Sequence, residues 1–196
     1  MRENGCDSTL PRPTRFSLIL QSQSHATTTN IMRNVEYITN GFGGPIPILN
    51  PAQQQSIQPY VESAVAGYGV PLSVIKAAVR TYYQFGPSGF RRTLAFVDAI
   101  EDAEGALERM FPNIRNQLRG PMAGLAYKRA FNGLLNTAAS RSGLTPLSSE
   151  LVQTIRERLN RIPDSSIDPK SQFNQLIPSY IQSMRIWVGH LASGVS

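Results

Sequence analysis

The sequence predicts an all-α protein, a bundle of about six helices preceded by an extended N-terminal arm. From Asn50 onward, apolar residues recur at the three- and four-residue spacing of amphipathic helices. Most of these runs begin at a capping residue or a proline and end near a glycine or a proline. No two segments of the chain have the alternating pattern of paired strands.

Residues 1–49 are predicted to form the arm, and residues 50–196 the helical domain. The arm is rich in Pro, Gly, Ser, Thr, Gln and Asn, and it has neither a helical nor a sustained strand period of apolar residues. Its second half contains Val35, Ile38 and Phe42. Because of these apolar side chains, we expect residues 31–49, rather than residues 1–30, to become ordered by packing against a partner.

The first helix begins at Asn50 and Pro51, an N-cap followed by proline at the first helical position, where the missing N–H costs little. It ends near Gly67 and Gly69. Its predicted apolar face consists of Ile57, Val61, Ala64, Val65 and Tyr68.

The other five helices have similar boundaries. The second, 71–83, begins at a proline and is closed by Gly86, and the third, 88–111, is capped by a serine and stops at Pro112. The fourth, 121–140, begins at a proline and is closed by a glycine. The fifth, 145–162, and the sixth, 168–191, each begin with an N-cap residue followed by proline. Pro178 is expected to kink the sixth helix or delay its start.

The fourth helix is dense in alanine and includes Gly124 and Gly133. Each glycine inside a helix costs roughly 1 kcal/mol relative to alanine, so a gain in packing should offset the cost. We expect these small residues to admit another backbone closely. That backbone is either a neighbouring helix or a nucleic acid.

The distribution of charge indicates a polyanionic partner. The chain has a net charge of +6, and 16 of its 19 basic residues are Arg. The stretch 109–141 contains six basic residues and no acid, and it follows five acids between Asp98 and Glu108. Charged residues make up only 16% of the chain, against about 25% in ordinary globular proteins, so we expect other molecules to cover much of the surface. Arg suits this role because its guanidinium tolerates burial and binds phosphate in a bidentate fork.

Eight basic residues are predicted to contact nucleic-acid phosphates without reading the base sequence. They are Lys76, Arg80, Arg91, Arg92, Arg115, Arg119, Lys128 and Arg129.

The sequence predicts no enzyme, cofactor, metal site or small-molecule substrate. His25 and His190 lack the spacing of a metal or nucleophile motif. The glycine-rich stretch 41–44 lacks the preceding strand and the Lys-Ser/Thr of a phosphate loop. A lone Cys6 excludes internal disulfides. The apolar runs are shorter than the ~20 residues of a membrane span.

Residues 67–94, GYGVPLSVIKAAVRTYYQFGPSGFRRTL, together with the polar arm before them, resemble the major coat proteins of filamentous and rod-shaped archaeal viruses with linear double-stranded DNA, the rudivirus, lipothrixvirus and tristromavirus type. The resemblance covers 31–140. It implies a helical subunit, often paired with a paralogous coat protein as a heterodimer, whose arm and helices wrap A-form DNA. Flexible filamentous plant-virus coat proteins, which bind RNA, are similar to a lesser degree. Because the chain is longer than the simplest members, 145–196 is interpreted as a peripheral addition.

Read with this resemblance, the sequence predicts a coat or nucleocapsid protein that polymerises into a filament and coats nucleic acid. The resemblance implies double-stranded DNA in preference to RNA, assembly in the host cytoplasm and a place in the virion, whereas the residues themselves fit either nucleic acid. Two alternatives stay open. A helix-turn-helix regulator fits 71–109, where Arg91 and Arg92 start the second helix. A helical adaptor that binds only protein is the other.

Overall fold

A computed structural model describes residues 49–114 and 120–196, and all regular secondary structure in these two ranges is helical. The helices are α1 Pro51–Ser63, α2 Leu72–Phe85, α3 Pro87–Ile114, α4 Ala123–Ser142, α5 Pro146–Leu159, α6 Pro169–Leu176 and α7 Pro178–Gly194. A π-helical turn, Ala64–Tyr68, continues α1. The all-α prediction is confirmed, and its six helical units are all present, the last being divided at Pro178. The predicted arm, up to residue 48, lies outside the described residues.

The predicted caps are present. The Asn50 side chain accepts the N–H of Gln53 at 2.8 Å, and the Gln53 side chain accepts the N–H of Asn50 at 3.0 Å, which makes a capping box. Thr145 caps α5 and Asp168 caps α6, each followed by proline. A cap of this kind stabilises a helix by about 1 kcal/mol.

The apolar face predicted for the first helix is correct at Ile57, Val61 and Ala64, all of which are buried, and wrong at Val65. The Val65 side chain is 47% exposed. It lies in the π-helical turn, where the wider turn rotates later side chains away from the face that a regular helix would continue.

Two prolines act differently from each other. Pro112 does not stop α3, which continues to Ile114, because a proline removes one backbone donor yet has a helical φ. Pro178 does end a helix: α6 finishes at Leu176 and α7 begins at Pro178 itself. The start of the sixth predicted helix is therefore not delayed, and Pro178 interrupts the helix, which is a stronger form of the expected kink.

The centre of the bundle is the antiparallel pair of α3 and α7, which make the most extensive contact between helices. Arg185 of α7 binds Asp98 of α3, and Tyr82, which stacks on Phe90 near the start of α3, donates a hydrogen bond to the carbonyl of Ser196. The last residue of the chain therefore lies beside the start of α3. Helix α4 packs on α3, α1 packs on α7, and α2 packs on α5.

The C-terminal helices contribute directly to this core. Trp187, Val188 and Leu191 of α7 are fully buried, and the Trp187 indole N–H donates to the carbonyl of Tyr60 at 3.1 Å. The stretch 145–196, interpreted from sequence as a peripheral addition, shares one hydrophobic core with the earlier helices instead. Comparing the length of the chain with that of the simplest coat proteins could not show that 145–196 is part of the core, because the burial of α7 depends on its pairing with α3.

The surroundings of Gly124 explain why α4 has a small residue at this position. A Cβ at this position would overlap the carbonyl oxygen of Pro163, and the N–H of Leu125 donates to the carbonyl of Asp164 at 3.2 Å. The closely approaching backbone is thus a loop of the same chain. Gly133, in contrast, is exposed and has no atom within 4 Å of its would-be Cβ.

Candidate nucleic-acid interface

The junction of α2 and α3 forms a tight corner. Gly86 alone separates the two helices and has a φ of 63°, a value that favours glycine. On the other side of this junction, Gly89 lies so close to the side chain of Thr81 that a Cβ would be 2.6 Å from its methyl group. The first turn of α3 therefore packs directly against the last turns of α2.

A cluster of buried hydroxyl groups anchors the corner to the start of α5. The Thr93 hydroxyl donates to the carbonyl of Gly89 at 2.9 Å and lies 2.8 Å from the hydroxyl of Thr145. Because Thr93 has already used its only hydrogen, Thr145 must be the donor between these two. The N–H of Leu147 donates to the Thr81 hydroxyl at 2.9 Å. These bonds fix the direction in which α2 and α3 leave Gly86.

Four of the predicted phosphate contacts lie on the helices that meet at this corner, and we call them the basic corner: Lys76, Arg80, Arg91 and Arg92. Counted along the helix axes at 1.5 Å per residue, all four lie within about 15 Å of Gly86. The chain between Glu62 and Asp98 contains no acid. Arg80, Arg91 and Arg92 are exposed, and none of the carboxylates whose side chains the structure describes forms an ion pair with them.

Aromatic side chains lie beside these arginines. The Arg92 guanidinium carbon is 5.1 Å from the centroid of the Phe85 ring, and Phe85 and Tyr83 are 37% and 43% exposed. Stacking on Phe85 holds the guanidinium as a cation–π contact and leaves the charge accessible to solvent. The sequence interpretation overlooked these two rings. They fall outside the buried positions of α2, which include Val74, Ala78 and Thr81, and that periodicity is the signal that would have placed them on the surface.

The other predicted contacts do not join this cluster. An Arg92 guanidinium nitrogen lies 3.6 Å from the would-be Cβ of Gly143, so the end of α4 is near the corner. Arg129 is fourteen residues before Gly143, about 21 Å away along the helix. Lys128 pairs with Asp164 at 2.5 Å, and its side chain is only 13% exposed. Arg115 and Arg119 lie outside the described residues.

The acids of α3 have a partner within the chain. Arg185 of α7 binds Asp98 at 2.6 Å and Glu101 at 3.0 Å. The hydrogen bond and charge of Asp98, with a smaller contribution from Glu101, raise the pKa of Arg185 above its ordinary value. Part of the acidic stretch is thus neutralised where α3 meets α7, whereas Asp102 stays exposed.

No family model, curated protein or solved structure matches this chain.

The described residues offer no arrangement for metal chemistry. Among the side chains that the structure describes, no three from His, Cys, Asp or Glu come together to hold a metal ion. His190 is exposed, and its Nδ1 lies 3.4 Å from the Tyr68 hydroxyl. Within 49–114 and 120–196, no helix has both the length and the apolar character that a membrane span needs. The arrangement with the clearest chemistry is the basic corner, whose guanidinium groups can bind phosphate or carboxylate in a bidentate fork.

Proposed function

We propose that this protein is a structural coat or nucleocapsid protein that assembles into a filament and binds nucleic acid along its phosphate backbone through the basic corner. The observation that carries the proposal is the group of three exposed arginines at one corner, Arg80, Arg91 and Arg92, to which no acidic side chain that the structure describes is paired. Unpaired surface cations in an acid-free stretch create a local positive potential, which attracts a polyanion.

The chemistry of the corner supports binding that does not depend on base sequence. Arginine makes bidentate contacts to phosphate, and contacts to the backbone carry no direct sequence information. On the resemblance of 67–94 to archaeal virus coat proteins, the proposed nucleic acid is double-stranded DNA rather than RNA. The proposed location is the virion, after assembly in the host cytoplasm.

Exposed apolar side chains support self-association, with copies of the same chain or with a paralogous coat protein. They occur on several helices and loops, and the more exposed ones are Val65, Leu72, Tyr83, Met122, Leu144, Ile167 and Ile186. A surface with this many large apolar groups and few charges suits burial against neighbouring subunits on more than one side.

A regulator with a helix-turn-helix is the alternative that the corner itself raises. The joint at Gly86 is a single residue, whereas the motif ordinarily uses a turn of about three to four residues. A tighter joint changes the angle at which the second helix projects. The coat proposal needs no particular angle, because backbone contacts tolerate many orientations.

A salt titration of nucleic-acid affinity tests the proposal. Fluorescence anisotropy with labelled duplexes of unrelated sequence should show affinity that falls steeply with salt and is similar for all duplexes. The double variant R91A/R92A should lower the affinity for every duplex and reduce the slope of log affinity against log salt by about 2, close to one unit per lost contact.

The variant R161A/K170A is the matched control, because it also removes two exposed cations, neither of which lies on α2 or at the start of α3 or belongs to the eight predicted phosphate contacts. It should retain most of the affinity. Equal losses in both variants would contradict binding at the corner. Loss confined to one duplex would favour the regulator, and the absence of salt-dependent binding in the wild-type chain would favour a protein adaptor.

A further inference from the structure

A groove runs between α3 and α4, on the side of α3 that does not face α7. It encloses a cavity of about 320 Å³, and small or apolar side chains form most of its walls. The lining residues are Ala99, Ala103, Ala106, Leu134, Thr137 and Ala138, with Asp102 and Arg141 as its two charged members. A groove lined by alanines admits a peptide backbone closely.

The two charged residues lie at different positions along the length of the groove. Helices α3 and α4 are antiparallel, with Arg92 beside Gly143 at the corner end. From that reference, Arg141 is two residues away, about 3 Å, and Asp102 is ten residues away, about 15 Å. The negative and positive groups are therefore separated by about 12 Å, with Arg141 nearer the corner.

The N-terminal segment joins the bundle at that same end. Ser56 of α1 lies 3.5 Å from Ser196, and Ser196 accepts a hydrogen bond from Tyr82, which stacks on Phe90 near the start of α3. Leu49, just before α1, is buried against the core. The residues before Leu49 thus enter the described part of the protein close to the corner end of the groove.

The sequence of that segment is complementary to the groove. Residues 31–48 contain one positive and one negative side chain, Arg33 and Glu36, among apolar residues and glycines. An extended chain separates these two by about 10 Å, close to the distance between Asp102 and Arg141. Their order also matches: Glu36 is closer in sequence to Leu49, as Arg141 is closer to the corner. From Glu36 to Leu49 the chain can span about 40 Å, enough to pass from the groove to α1.

We propose that residues 31–48 lie in the α3–α4 groove of their own chain, with Glu36 beside Arg141 and Arg33 beside Asp102. The proposal does not rest on the proposed function, because a groove occupied by its own chain needs no nucleic acid and no second copy. The sequence alone favoured order of residues 31–49 against a partner, and the proposal makes that partner a groove of the same molecule.

Disulfide trapping in the full-length chain tests this placement. In a Cys6→Ser background, Asn34→Cys is combined with Thr137→Cys, an exposed groove position on α4; in an extended chain Asn34 lies on the same side as Glu36. The matched control combines Asn34→Cys with Ser149→Cys, an exposed position on α5 that does not line the groove. On mild oxidation at low protein concentration, the first pair should form an intramolecular disulfide, seen as a faster-migrating monomer on a non-reducing gel, and the control pair should form little.

Charge reversal provides an independent readout. Arg141→Glu should slow formation of the 34–137 disulfide about two- to fivefold, the range expected for one partly exposed ion pair, and Glu36→Arg in the same chain should restore the rate. A disulfide-linked dimer would instead mean that the arm of a neighbouring copy occupies the groove, and it would overturn the proposal. Equal trapping at 137 and 149, or no rescue by Glu36→Arg, would overturn it as well.

Discussion

The carbonyl oxygen of Pro163 occupies the space in which a side chain at Gly124 would begin. This contact explains why α4 tolerates a glycine near its start, since no other residue lets the 163–164 loop approach its backbone so closely. We therefore predict that Gly124→Ala lowers the free energy of unfolding by about 1–3 kcal/mol through overpacking. Chemical denaturation monitored by circular dichroism measures it.

Gly133→Ala is the matched comparison, because the same substitution in the same helix meets no atom within 4 Å. It should raise the free energy of unfolding by up to about 1 kcal/mol, since alanine favours the helix. If Gly124→Ala proved as harmless as Gly133→Ala, the loop would not pack against α4 as described. If Gly133→Leu blocked assembly of a chain that stayed folded, Gly133 would be the glycine that admits another molecule.

The hydroxyl cluster at the corner should contribute to stability beyond its single bonds. Thr93→Val removes the buried bond to Gly89 and the bond to the Thr145 hydroxyl, which keeps Ser148 as its side-chain partner. We predict a loss of about 1–3 kcal/mol, from two buried hydrogen bonds of roughly 0.5–1.5 kcal/mol each. Thr137→Val removes a bond of the same type, to the carbonyl of Gly133, at an exposed position and should change stability little. Similar losses in the two variants would contradict the role of burial.

Tyr180 should make the protein less stable at alkaline pH. Burial raises the pKa of its hydroxyl, and the hydrogen bond to Thr154 and the charge of Arg158 only partly oppose this. Above about pH 10 the unfolded chain loses this proton before the folded chain does, so stability falls as pH rises, up to the folded pKa. Tyr180→Phe should reduce this alkaline slope in denaturation curves measured between about pH 9 and 11. An unchanged slope would contradict the assignment.

Lys128 and Arg129 are neighbours that should differ in role. Lys128 is mostly buried and paired with Asp164, a residue of the loop that packs on Gly124, whereas Arg129 is exposed. Lys128→Ala should therefore lower the free energy of unfolding by on the order of 1–2 kcal/mol, between the values for exposed and buried pairs. Arg129→Ala should leave stability nearly unchanged. The reverse order of the two losses would show that the ion pair does not hold the loop.

The helices were predictable because their boundaries are local. Asn50, Thr145 and Asp168 cap helices in the structure as their sequence context indicates. The exposure of Val65 was not predictable in this way, since it lies in a π-helical turn, which the regular helical spacing of apolar residues does not indicate. The same is true of Gly124, whose neighbour is distant in sequence.

The candidate site was predictable in composition and only partly in position. Charge patterning selected Lys76, Arg80, Arg91 and Arg92, which the fold brings to one corner. Charge patterning also selected Lys128, which is already paired with Asp164. The two residues are thirty-six positions apart, so the local sequence around Lys128 does not indicate this ion pair. Counting charges along a chain cannot separate a cation that faces solvent from one that is already neutralised.

Negative-stain electron microscopy of the purified chain, with and without long duplex DNA at low salt, tests the central claim most directly. The coat proposal predicts filaments of uniform width in the mixture, since a polymer that binds along a phosphate backbone follows the length of the duplex. The R91A/R92A variant should form fewer filaments on DNA under the same conditions. Isolated particles in both samples, with DNA remaining bare, would contradict a coat function.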